Sequence, residues 1–165
     1  MADHDSLFKL ADALVLELIT AGKAVATAES CTGGWVAKAI TDVPGSSKVY
    51  GYGVVSYANG AKESILGVKN QTLTDHGSVS AEVVTEMSKG AVRLSGADIA
   101  VAVSGVAGPT GGTKEKPVGM VWFAWAMREG TKVQVDTSLE HFSGDRELIR
   151  EAAVAHALQG VRERI

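Results

Sequence analysis

Apolar residues recur at helical spacing over 6–21, where Leu7, Leu10, Leu14 and Leu18 share one face. Asp5 or Ser6 is placed to cap the start of this helix, and Gly22 to stop it. The next apolar run, 24–28, is short and unbroken, the pattern of a buried strand. It leads directly into Glu29-Ser30-Cys31-Thr32-Gly33-Gly34 and a second helical pattern over 35–40. Pro44-Gly45-Ser46-Ser47 predicts a turn, 53–57 a β-branched strand and 61–66 a short helix. A longer helix is expected over 81–94, capped by Ser80 and closed by Gly96. Strands follow at 99–103, 119–127 and 132–139, and Ser143-Gly144-Asp145-Arg146 opens a closing helix that runs to about 162. The polar interval 66–80 reads as a connecting segment, mobile and close to a site.

Strands alternate with helices early in the chain, and two strands adjoin late. That order predicts an α/β fold, a three-layer α/β/α sandwich around a mixed, mostly parallel sheet. With 165 residues and neither repeat nor linker, one domain spanning 1–165 is expected. Trp122 and Trp125 stand at odd spacing on one strand, so they should face opposite sides of the sheet.

Composition narrows the function classes. A chain that is 45% hydrophobic and 21% charged is ordinary for a globular protein and wrong for a disordered one. A net charge of −3 with scattered Lys and Arg argues against a nucleic-acid partner. The start, MADHDSLFKL, is acidic where a secretion signal is basic, and no apolar stretch reaches ~18 residues. The expectation is a cytoplasmic protein with no membrane partner. Cys31 is the only cysteine, which excludes an internal disulfide and a Cys-based zinc site. His4, His76, His141 and His156 show no metal-binding spacing, so neither metal nor cofactor is expected. Nineteen glycines, well above the usual ~7%, must serve turns, caps or close approach to a ligand.

Two glycine-rich turns, 30–34 and 104–112, directly follow apolar strands, and open α/β sheets bind ligands at strand carboxyl ends. A strand, a small-residue turn and a helix also aim backbone N–H groups at an anion. Neither turn is a P-loop or a G-x-G-x-x-G fingerprint, and no G-x-S-x-G elbow is present. Cys31 is either a thiol nucleophile near a helix start or a small buried hydrophobe, and spacing leaves both open. Ser47 in a turn, Tyr57 at a strand end and Lys62 just beyond would suit serine chemistry with a lysine base. That lysine must fall from ~10.4 to roughly 7–8, which needs burial or a cationic neighbour.

Six separated motifs, in order, resemble the CinA C-terminal domain family: AESCTGG (28–34), VPGSS (43–47), YANGAK (57–62), SGVAGPTGG (104–112), KPVG (116–119) and FSGDR (142–146). The likeness spans nearly the whole chain. It implies hydrolysis of the carboxamide of nicotinamide mononucleotide to nicotinate mononucleotide and ammonia, without metal or cofactor. It further implies Ser47 as nucleophile, Lys62 as general base and Tyr57 as proton relay or lysine-tuning partner. Ser30 with Gly33, Ser104 with Gly105, and Arg146 would line the mononucleotide site. Ala58 and Gly60 depart from the polar and acidic residues common at those places. The oxyanion donors are expected near Ser46 and Ser47, and a homodimer is expected. The rival readings are a Cys31 thiol amidase and a non-catalytic nucleotide-binding or competence-associated domain.

Overall fold

The computed structural model describes residues 4–165; Met1, Ala2 and Asp3, and with them part of the acidic start, lie outside the described residues. Helix α1 (His4–Ala21) already includes Asp5 and Ser6, so neither is the cap expected from the sequence. Lys9 instead pairs with Asp5 one turn back.

Strand β1 (Val25–Glu29) is buried along its whole length, and α2 (Trp35–Thr41) follows it. A single 3-10 turn, Ser46–Lys48, then leads into β2 (Tyr50–Val55). Three helices come next: α3 (Asn59–Ser64), α4 (Asn70–His76) and α5 (Ala81–Ser95). The interval expected to be a mobile connection therefore holds α4. It is pinned by Val68, Leu73 and Val79, apolar residues in a polar stretch that are all buried. Helix α5 has the cap and the stop that its sequence predicts: Ser80 Oγ accepts the Val83 N–H, and Gly96 ends it with φ +69°. Strands β3 (Ile99–Gly105), β4 (Met120–Glu129) and β5 (Lys132–His141) precede α6 (Arg146–Arg162), whose cap is Asp145.

The five strands lie in the order β2-β1-β3-β4-β5. Strands β2, β1 and β3 pair in parallel, and β4 runs against both β3 and β5, so four strands point one way and one returns. Helices α1, α2 and α6 cover one face and α5 the other, which makes the expected three layers.

The two faces are built differently. Toward α5 the central strands present mainly alanine: Ala26, Ala28, Ala100, Ala102, Ala124 and Ala126. The opposite face carries Val25, Ile99, Val101, Val103, Phe123 and Trp125. Small residues let α5 lie close to the sheet, and Gly90 of the same helix makes room for the Leu66 backbone, because a Cβ there would stand 2.1 Å from the Leu66 carbonyl oxygen. Trp125 sits in the large-residue core, with its indole N–H on the Ala157 carbonyl, while Trp122 packs on the alanine side. The two tryptophans face opposite sides, as their spacing requires.

Candidate active site

Strand β1 connects through α2 to β2 on one side, whereas β3 on its other side connects to β4. The crevice between the carboxyl ends of β1 and β3 is the point where successive connections leave in opposite directions, the usual ligand site of an open α/β sheet. Ser30 ends β1 there, and its N–H bonds the Val103 carbonyl at 3.0 Å. Ser56 ends β2, with its N–H on the Glu29 carbonyl at 2.9 Å. Extending the ladder one step beyond the Glu29–Val55 and Glu29–Val103 pairs puts Ser56, Ser30 and Ser104 side by side in one row. Alternation along each strand turns all three toward the alanine face. Ser104 Oγ accordingly donates to the Ser78 carbonyl just ahead of α5.

Lys62, on α3, reaches into this row. Its Nζ lies 2.9 Å from Ser30 Oγ, 2.7 Å from the Ser56 carbonyl and 3.4 Å from the Tyr57 carbonyl. The side chain is 1% exposed, and no carboxylate is among these partners. Burial pushes its ammonium below the ordinary lysine value of 10.5, while the nearby Cys31 sulfur pulls weakly the other way. An amine held below its ordinary value beside a serine hydroxyl can serve as the base to that nucleophile.

Ser47 does not enter this group. It belongs to the 3-10 turn ahead of β2, whereas Lys62 binds the carbonyls just past the end of β2. The strand between them spans about 17 Å, so nucleophile and base as paired from the sequence stand at opposite ends of the sheet. The oxyanion donors expected beside Ser46 and Ser47 fall with it. Tyr57 is close, but not as a relay: its carbonyl faces Lys62 and its phenol is exposed, accepting from Arg146 at 3.0 Å. Arg146 also donates to the Gly108 carbonyl at 2.7 Å, clamping the 104–112 turn to the end of β2.

Of the two glycines expected to line the nucleotide, Gly33 (φ +60°) turns the chain behind Ser30, where a Cβ would press on the Arg150 guanidinium at 3.3 Å. Gly105 serves the chain itself. A Cβ there would stand 2.8 Å from the Met120 carbonyl oxygen and 2.9 Å from the Val121 Cα, so it lets β3 and β4 meet.

The amide groups at the start of α2 are also committed. Glu29, 1% exposed, accepts the Val36 N–H at 2.8 Å, the Ala37 N–H at 3.0 Å and the Thr32 hydroxyl at 2.7 Å. The chain's own carboxylate thus fills the place the sequence pattern offers to an anion. Glu29, Ser56 and Arg150 were not singled out by the sequence reading. For Glu29 the signal was present, an acid one residue ahead of a small-residue turn and a helix start. Arg150 donates to the Cys31 and Thr32 carbonyls and lies 5.4 Å over the Trp35 ring. Arg150 and Trp35, with Lys38, Gly33 and Gly34, line an open cavity of about 400 Å³.

Cys31 is buried, and burial pushes its thiol up to about 11. It is the inert kind of cysteine. Among the described residues no group of three His, Cys, Asp or Glu side chains comes together to hold a metal, and no helix is long and apolar enough to cross a membrane.

Comparisons with known proteins agree with this architecture. The sequence profile of the CinA C-terminal domain matches residues 7–165. The chain is 51% identical over 159 residues to a protein of Escherichia coli named nicotinamide-nucleotide amidohydrolase PncC, covering 96% of this chain and 94% of that one. It is 56% identical over 146 residues to a putative competence-damage inducible protein of Symbiobacterium thermophilum, of which the match spans only 34%. Among solved structures, the competence damage-inducible protein A of Klebsiella pneumoniae superposes with a TM-score of 0.91 at 42% identity, over 96% of both chains.

Proposed function

This chain belongs to the CinA C-terminal domain family, and from that premise we propose that it hydrolyses the carboxamide of nicotinamide mononucleotide, with Ser30 as nucleophile and Lys62 as general base. The relative named for this activity matches it over nearly its full length. The observation that carries the residue roles is the 2.9 Å contact between the buried Lys62 amine and Ser30 Oγ.

The donor inventory favours the step. A neutral lysine amine has two N–H groups and one lone pair. In the neutral amine the Ser56 and Tyr57 carbonyls, at 2.7 and 3.4 Å, take the two N–H groups and leave the lone pair for the Ser30 hydroxyl proton. Ser30 Oγ attacks the amide carbon while its proton passes to Lys62 Nζ. The C–N bond breaks as that proton moves to the amide nitrogen, and ammonia leaves an ester on Ser30. Water then attacks the ester and gives a proton to Lys62, which returns it to Ser30 Oγ as the C–O bond breaks and nicotinate mononucleotide departs. The oxyanion donors in this scheme come from the turn that follows Ser30. Arg146, at the crevice mouth, meets the phosphate.

The test is ammonia release from the mononucleotide by purified protein. Ser30→Ala and Lys62→Ala should each abolish it, while Ser47→Ala should leave it near the wild-type rate. Binding of the mononucleotide without ammonia release by the wild type would support the non-catalytic reading instead.

A further inference from the structure

Among the described residues, one buried side-chain polar atom has no hydrogen-bond partner, the hydroxyl oxygen of Ser56. The residue is fully buried, so bulk water does not reach it, and a hydroxyl left in this condition is destabilising. Its position is not incidental. Ser56 neighbours Ser30 in the row of three serines, and its own carbonyl oxygen holds Lys62 Nζ at 2.7 Å.

The reaction changes the needs of that amine by one hydrogen bond. Neutral Lys62 has two N–H donors, matched by the Ser56 and Tyr57 carbonyls. Once it takes the Ser30 proton it has three donors, and Ser30 Oγ, now bonded to the acyl carbon, is a poor acceptor. One donor is gained where one acceptor stands unused. We propose that Ser56 is a positioning residue for the reaction, its hydroxyl turning about the Cα–Cβ bond to accept the third N–H of the Lys62 ammonium. This rests on the reading of Lys62 as the base.

The other titratable groups near Lys62 are accounted for. Cys31 is the group whose charge acts on Lys62, with Glu29 and Arg150 acting on Cys31 in turn from β1 and α6. Glu29 is bonded to the start of α2, and Arg150 to the Cys31 and Thr32 carbonyls. Glu63 bonds Asn70, Glu86 of α5 bonds Thr72 and the Lys69 N–H, and the Tyr57 phenol bonds Arg146. No carboxylate is bonded to the ammonium, so a single hydroxyl weighs heavily.

The experiment is the pH dependence of kcat for the full chain and for Ser56→Ala, Ser56→Cys and Ser56→Thr, with thermal unfolding alongside. In the acyl-enzyme, where Ser30 Oγ no longer accepts, loss of the Ser56 acceptor from the charged form lowers the apparent pKa of the ascending limb of kcat as deacylation sets it, by about one unit for a charged hydrogen bond. Alanine should show that shift with a fall in kcat of about tenfold, its Tm unchanged or raised. Cysteine, a weak acceptor, should move the limb the same way if alanine does not fold. Threonine keeps the hydroxyl and should restore the wild-type profile. A profile unmoved by alanine or cysteine overturns the proposal, as does threonine behaving like alanine. An active Lys62→Ala protein would instead remove the base reading, and this inference with it.

Discussion

The carboxylate of Glu29 lies 2.8 Å from the Val36 amide, so the last residue of β1 caps the helix that follows the Ser30 turn. Two N–H groups and the Thr32 hydroxyl converge on it, and the turn between them carries Ser30. Glu29→Gln keeps one acceptor but presents an amide NH₂ group where the other oxygen met an N–H donor. We expect a loss of about 1–3 kcal/mol, read from urea midpoints. Ammonia release should fall as well, because the turn sets Ser30 against Lys62. An unchanged midpoint would show that the carboxylate does not hold this turn.

Much of the fold was legible in the sequence because each element obeyed a local rule. Helix α5 begins at its serine cap and ends at its glycine, and the tryptophans of β4 divide between faces by parity alone. The contact between Ser30 and Lys62 was not legible from nearness in sequence. Ser47 and Lys62 are close in the chain but have a strand between them, and a strand carries the chain from one edge of the sheet to the other. Ser30 and Lys62, 32 positions apart, meet because each follows a parallel strand, and parallel strands end at the same edge. Close approach at glycine also serves the protein itself. At Gly105 and Gly119 the crowding comes from the protein's own backbone, across β4 and at the Phe142 carbonyl.

Two glycines buried on opposite faces separate stability from activity. At Gly160 a Cβ would stand 2.2 Å from the Trp125 ring, and at Gly90 it would stand 2.1 Å from the Leu66 carbonyl oxygen. Overpacking costs about 1–3 kcal/mol, so both alanine variants should lose stability in thermal or urea unfolding. Leu66 directly follows α3, the helix of Lys62, whereas Trp125 packs on α6. Gly90→Ala should therefore also lower kcat at temperatures where it is folded, and Gly160→Ala should not.

Arg146 bridges the Tyr57 phenol and the Gly108 carbonyl at the mouth of the site. If it also meets the phosphate, Arg146→Ala should reduce kcat/KM for the mononucleotide about ten- to a hundredfold, as expected for a charged hydrogen bond. The effect should shrink for the riboside that lacks the phosphate. Tyr57→Phe removes only the bridge and should cost less with either substrate. Equal losses on both substrates for Arg146→Ala would assign the arginine to loop closure alone.

The thiol reading makes an opposite demand. With its thiol raised to about 11 by burial, Cys31 is almost wholly protonated at neutral pH. Native protein treated with iodoacetamide should retain its ammonia release, and Cys31→Ser should stay within a few-fold of wild type. Inactivation by the reagent, reproduced by the serine variant, would restore the cysteine to the chemistry.

Lys62→Met should abolish turnover and change how stability depends on pH. In the unfolded chain the amine titrates near 10.5, and in the folded protein burial holds it lower. Between those two values the unfolded chain binds more protons, so wild-type stability rises with pH across that window. On the acid side of the window the full cost of burying an ammonium is present. Methionine fills a similar volume and binds no proton, so the variant escapes that cost while giving up the hydrogen bonds to Ser30 and the two carbonyls. The stability of Lys62→Met relative to wild type should therefore be highest at the acid end and decline as pH climbs toward 10.5. Urea midpoints of the two proteins over that range measure the difference, and a flat difference would mean that the folded protein does not depress the amine.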